Sequence, residues 1–167
     1  MDKHTNNRRK VVWGGKHFDF KDVFKCAYCG ASVIGEEKFK LLKSGKKNRH
    51  VYYHCTKKID PNCPEPYINK KDLLLEFIRF IGLIEKRKPE FFVITKDVKS
   101  RMGKYRAFRN QVLEEHNIDP INKPLSFSEY FKNIILNGTK EEKGDLLTCI
   151  KLPLYIHEGR IYASPIC

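Results

Sequence analysis

The sequence predicts an α+β chain: a small zinc β-ribbon, then a mainly helical segment, then a C-terminal β-hairpin. Three observations predict it. Cys26, Cys29, Cys55 and Cys63 stand in a C-x2-C, 25-residue gap, C-x7-C pattern, with β-prone residues around the second pair. From residue 69 onward, apolar residues recur at helical spacing and are punctuated by capping residues. Near the end, Glu158-Gly159 separates two short apolar runs, as a hairpin turn would.

The cysteines come first in the argument. Two thiolates two residues apart reach one ion from a tight turn, and Gly30 directly after them suits a backbone with positive φ. The second pair then folds back to complete a tetrahedron. Four thiolates around Zn²⁺ form a closed structural site with no open position for catalysis. Two other readings remain open at this level: unrelated thiols or two disulfides, and His54 replacing one cysteine. C-x2-C in a basic segment with no mark of secretion favours metal.

Residues 1–16 are polar, basic and aperiodic, and read as a flexible arm or linker remnant, with Trp13 as the oddity. Residues 18–25 suit a strand or turn leading into Cys26. Residues 31–43 and 49–55 are the two strands of a hairpin, and residues 44–48 its turn, with Gly45 at positive φ. Asp60-Pro61-Asn62 is a turn that delivers Cys63. So small a ribbon buries too little apolar surface to stand alone, and zinc supplies on the order of 10 kcal/mol or more.

A helix over residues 69–85 is capped by Asn69; Leu73, Leu74, Phe77, Ile81 and Ile84 form its apolar face, widened by Leu75, Ile78 and Phe80. Thr95 caps a second helix over residues 96–116, whose narrow stripe of Val98, Met102, Tyr105, Phe108 and Val112 suits either antiparallel helix pairing, self-association included, or a plain core contact. Ser126-x-x-Glu129 and Thr139-x-x-Glu142 are capping boxes for two further helices, with Asn137-Gly138 between them. Residues 152–156 and 160–162 are the strands of the last hairpin. Cys149 lies on an apolar stripe and is read as packed; Cys167 has no evident partner.

Composition bounds the partners. The 167 residues carry a formal net charge of +13, and 32% of them are charged. Residues 1–70 hold 16 Lys and Arg against 7 Asp and Glu, so the positive field lies mainly on the cysteine segment. A polyanion, nucleic acid before membrane, is the expected partner. There is no run of 18 apolar residues and no apolar core behind the basic N-terminus, so neither a transmembrane helix nor a signal peptide is expected, and a cytoplasmic location is.

The stretch FKDVFKCAYCGASVIGEEKFKLLKSGKKNRHVYYHCTKKIDPNC resembles the zinc β-ribbon of the large serine recombinases, the integrase and transposon branch of the resolvase/invertase superfamily. The tail NGTKEEKGDLLTCIKLPLYIHEGRIY is similar to the end of those proteins, where a helix leads into a hairpin. The resemblance implies a recombinase zinc β-ribbon over residues 17–68, a helical pair over 69–118 in place of a longer coiled-coil arm, and a helical segment with terminal hairpin over 119–167. It implies one structural zinc ion on Cys26, Cys29, Cys55 and Cys63, and double-stranded DNA as the partner. It further implies a part in DNA recombination and integration by a mobile element.

Lys38, Lys40, Lys43, Lys46, Lys47, Arg49, Lys57 and Lys58 are the expected DNA contacts, with Arg49 the candidate for reading guanine. The serine catalytic domain of that family is expected to be absent from this chain, because none of its six serines lies in the nucleophile's arginine-rich setting. The chain is therefore expected not to be an enzyme by itself, but to depend on a catalytic domain either separately encoded and supplied in trans or once encoded upstream, as in a split gene, a truncated remnant or an independent polypeptide. The alternatives are a free-standing zinc-ribbon adaptor for protein or RNA, and a nuclease using unrecognised residues.

Overall fold

The computed structural model describes residues 18–119 and 124–165. The basic arm, Trp13, Pro120 and Cys167 lie outside them. The element order is mixed. Strands β1 (Phe24–Cys26), β2 (Val33–Leu41), β3 (Lys47–Cys55) and β4 (Ile68–Asn69) precede helix α1 (Lys70–Arg87). A 3-10 turn (Pro89–Phe91) leads to α2 (Lys96–Glu115), α3 (Phe127–Asn137), α4 (Lys140–Thr148), β5 (Leu154–His157) and β6 (Arg160–Tyr162). This is the α+β arrangement expected, with two three-stranded sheets ordered β2-β3-β4 and β1-β5-β6.

The hairpin runs in register from Val33 opposite Cys55 to Leu41 opposite Lys47. Gly45, at φ +77°, closes the turn, and its N–H donates to the Leu42 carbonyl at 2.9 Å. As the third strand of a ribbon expected to have two or three, Ile68 and Asn69 pair with Tyr53 and Tyr52, which anchors the chain just before it enters α1. At Gly35 a Cβ would lie 2.5 Å from the Phe18 ring, so only glycine lets that ring lie against the ribbon.

The sheet β1-β5-β6 is the main departure from local expectation. β1 pairs in parallel with β5, Phe24 opposite Leu154 and Cys26 opposite Ile156. The C-terminal hairpin therefore sits against the cysteine segment. Its turn matches expectation: Glu158 and Gly159 have φ of +46° and +73°, the two positive values a tight primed turn needs.

An aromatic chain joins ribbon and helices. Phe77 on α1 meets Phe24 at 5.1 Å, Phe20 at 5.7 Å and Phe131 of α3 at 4.9 Å between ring centroids. Phe20 also touches Tyr53 at 5.6 Å. These are edge-on or tilted contacts, the geometry that ring quadrupoles favour. All five side chains are fully or almost fully buried.

The caps work as the sequence indicates. Asn69, Thr95, Ser126 and Thr139 each accept from a backbone N–H of the first turn, and the last two close full capping boxes. Glu85 adds a tertiary cap, accepting from the Phe127 and Ser128 N–H groups at 2.7 and 3.1 Å. Two apolar expectations fail. Leu75 is exposed while its neighbour Glu76 is buried, and Phe108 is exposed. In α2, Val98, Met102 and Tyr105 pack against the core and Val112 is half-buried, while Phe108 on the same stripe stays exposed. Cys149 is buried, as expected of a packing residue.

Candidate metal centre

Two backbone turns build the site. In the first, the Gly30 N–H donates to the Cys26 carbonyl at 2.9 Å with Gly30 at φ +78°, and the Cys26 N–H donates to Ala31 at 2.8 Å. This folds Cys29 back over Cys26. The Ala27 N–H donates to the Ile156 carbonyl at 2.9 Å, so β5 braces this turn from outside. In the second, Cys55 ends β3 and the Asp60 turn returns the chain: the Asn62 N–H donates to Asp60 Oδ1 at 2.9 Å and the Cys63 N–H to its carbonyl at 3.1 Å.

The four Sγ atoms of Cys26, Cys29, Cys55 and Cys63 lie within 4.8 Å of one another. The nearest pairs are Cys29–Cys55 at 3.4 Å and Cys26–Cys63 at 3.7 Å. A zinc ion 2.3 Å from each sulfur requires S···S edges of about 3.8 Å, so the cluster has the dimensions of a zinc tetrahedron. A disulfide needs about 2.0 Å; all four cysteines are free thiols, which removes the disulfide alternative.

His54 is not part of the cluster. Its Nδ1 lies 2.9 Å from the Cys55 carbonyl, and its ring stacks on Tyr67 with centroids 4.4 Å apart.

The electrostatics fit a site made to be metallated. Burial pushes the Cys26 thiol up to about 11 and the Cys55 thiol up as well. Burial also opposes the Cys29 thiolate, but the Ala31 backbone N–H and the neighbouring thiols outweigh it and lower its pKa. Three of the four residues are buried, and the Lys57 N–H donates to Cys55 Sγ at 3.3 Å, a contact that steadies a metal-bound sulfur. The raised Cys26 and Cys55 thiols would give up their protons to a bound zinc ion, which would cross-link the two turns.

The eight expected DNA contacts do not form one cluster. Side chains alternate along a strand, so Lys38 and Lys40 share one face of the hairpin while Lys47 and Arg49 share the other. Lys43 and Lys46 sit in the turn, and Lys57 and Lys58 lie beyond Cys55 at the metal end. Arg49 is ion-paired with Glu37 across the strands, so its guanidinium is held along the ribbon. Lys38 Nζ lies 4.6 Å from the Tyr67 ring centroid and 5.7 Å from that of Tyr52.

Two buried carboxylates, not singled out by sequence reasoning, hold the last hairpin. Glu65 accepts from the Glu158 N–H at 2.8 Å and lies 3.0 Å from His157 Nδ1. Glu76 accepts from the Ile161 N–H at 3.2 Å and from Arg79 and Arg160. An acidic residue inside an apolar helix face was the available signal for Glu76.

Residues 20–81 match the family model of the recombinase zinc beta ribbon domain. No curated protein and no solved structure matches the chain. The matched segment holds all four cysteines, the whole hairpin and most of α1. The chain thus carries a recombinase-type zinc ribbon whose four cysteines provide for one structural zinc ion. No helix among the described residues is long and apolar enough to cross a membrane.

Proposed function

We propose that the chain is the DNA-holding zinc-ribbon portion of a site-specific serine recombinase of the large integrase and transposon branch. The zinc centre fixes the base of the β2–β3 hairpin, and the hairpin carries the protein's charge onto double-stranded DNA. The observation that carries this reading is the coincidence of three features in residues 20–81: the recombinase ribbon match, the four-thiol cluster, and a projecting hairpin with six cations between residues 38 and 49. Strand cleavage and rejoining are supplied by a recombinase catalytic unit. The closed four-thiolate zinc site leaves no water for the metal to activate. The five cysteines among the described residues are free thiols, which accords with a reducing compartment such as the cytoplasm.

The test is a salt titration of binding to duplex DNA, with RNA in parallel. Each phosphate contact contributes roughly −0.9 to the slope of log K on log salt. Replacing Lys43, Lys46 and Lys47 by Ala lowers its magnitude by up to about 2.7 if all three meet phosphate. An unchanged slope moves the DNA face off the hairpin. Salt-insensitive binding, or a clear preference for RNA, sinks the reading.

A further inference from the structure

The distal hairpin presents an oddity that charge alone does not explain. Every residue from 38 to 49 is exposed, on both faces of the ribbon. Within that stretch Phe39 is 58% exposed, Leu41 66% and Leu42 41%. Phe39 and Leu41 are two apart and so project from the same face, beside their cross-strand partners Arg49 and Lys47. Lys38 and Lys40 stand on the reverse face, and Lys43 and Lys46 at the turn.

No other element of the described fold covers these apolar side chains, and a bare two-stranded ribbon is only marginally stable in water. Within the described fold no contact uses them, which points to a partner outside it. The surrounding charge selects it: an apolar protein groove would have to desolvate six cations, whereas a duplex offers phosphates for the cations and stacked bases for the apolar groups.

We infer that the hairpin tip enters the minor groove of duplex DNA and wedges Phe39 and Leu41 against or between base steps, bending the duplex. This rests on the DNA-binding reading above and adds the mode of contact. Phenylalanine and leucine are among the side chains that act as such wedges, and the unstacking they cause kinks DNA by 20–90° toward the major groove. The strands are about 4.8 Å apart between their axes, and with backbone and side chains added the ribbon exceeds the unperturbed minor groove, about 6 Å across. Entry therefore opens the groove and bends the axis. Lys47 and Arg49, on the wedge face, lie where the groove walls would be; the Glu37 pair holds Arg49 alongside Phe39. Lys43 and Lys46 at the turn meet the backbone further along.

The experiment uses the full, zinc-loaded chain on duplexes selected from a random-sequence pool. Energy transfer between end labels reads the bend, and 2-aminopurine at successive positions reads unstacking. The expected result is a bend within the range above, with 2-aminopurine emission rising at one or two adjacent steps. The double variant Phe39→Ala/Leu41→Ala keeps its zinc and its salt slope but loses both signals. The Lys43→Ala/Lys46→Ala variant loses salt slope and, at saturating protein, keeps the bend.

A bound but straight duplex overturns the wedge while leaving the DNA reading intact. So does an unaltered bend in the double variant. Loss of affinity on replacing thymine by uracil, seen with wild type and absent in the double variant, would put the apolar pair against thymine methyls in the major groove and overturn the wedge too. Failure to bind any duplex overturns the DNA reading itself.

Discussion

The two halves of one hairpin behave as different materials. Near the zinc centre, alternate residues of β2 and β3 are buried: Val33, Tyr53 and Cys55 are at most 2% exposed. They pack with Phe20 and Phe77, with β4 along one edge and the two cysteine turns at the end. Past Glu37 and Val51 the same two strands continue, and among the described residues every one from 38 to 49 is exposed. The inner half is where stability is made, by metal and aromatic packing. The outer half contributes little to folding and is free to carry charge and apolar groups for a ligand. The ladder of hydrogen bonds between the strands is continuous across the boundary, so the anchored half sets the direction of the free half.

The largest effect that would break this contrast is loss of the metal. Zinc in small ribbon domains carries an apparent 10–16 kcal/mol at neutral pH. Chelation, or Cys55→Ser, is expected to abolish the ordered ribbon and to loosen β5 and β6, since β1 ties them to the first cysteine turn. Metal analysis should find about one zinc per chain, and amide exchange should show loss of protection in both sheets. An ordered ribbon in metal-free protein would refute the role given to the four thiols.

Next comes Phe77→Ala, which removes the ring that joins Phe20, Phe24 and Phe131. A cost of about 3–5 kcal/mol is expected, measured by denaturant unfolding with zinc held constant.

Glu76 gives a smaller, pH-dependent effect. Burial works against its carboxylate, but hydrogen bonds from Arg79 and the Ile161 N–H and the charges of Arg79 and Arg160 outweigh it, so its pKa lies below the ordinary 4.5. A depressed carboxylate stabilises the fold above the unfolded pKa, and that stability is lost as pH falls through the folded value. Stability should therefore decline below about pH 4.5, with the last hairpin released first. Glu76→Gln should cost about 1–3 kcal/mol near neutral pH and flatten that part of the profile. A wild-type decline retained in full by the variant would assign the effect to other carboxylates.

The smallest effect on stability belongs to the outer half. The Lys43→Ala/Lys46→Ala/Lys47→Ala variant should unfold within about 0.5 kcal/mol of wild type while lowering the salt slope of the proposed DNA binding. A large stability change would mean that the outer half is not independent of the fold.

Much of this was legible in the sequence, wherever the signal is local. Cys26-x2-Cys29-Gly30, the Gly45 turn, the Asp60 turn, four helix caps and the Glu158-Gly159 turn each depend on residues within a few positions of one another. They specify their geometry by side-chain chemistry or by tolerance of positive φ. The four cysteines as one cluster were legible too, because ligand type and spacing constrain where a tetrahedron can close.

What only the tertiary structure decided is non-local. β1 is three residues long, too short for any periodicity, and its parallel pairing with β5 joins opposite ends of the chain. Glu65 reads as an ordinary acidic residue, and Glu76 as an acid within an apolar helix face without a partner in view, until the last hairpin brings an N–H and a cation or imidazole to each. The cations of residues 38–49 form one run in the sequence, but strand alternation divides them between two faces. Whether Phe39 and Leu41 are core or exposed depends on how far the helices reach along the ribbon, and that distance is set by the packing of α1 against the inner half alone.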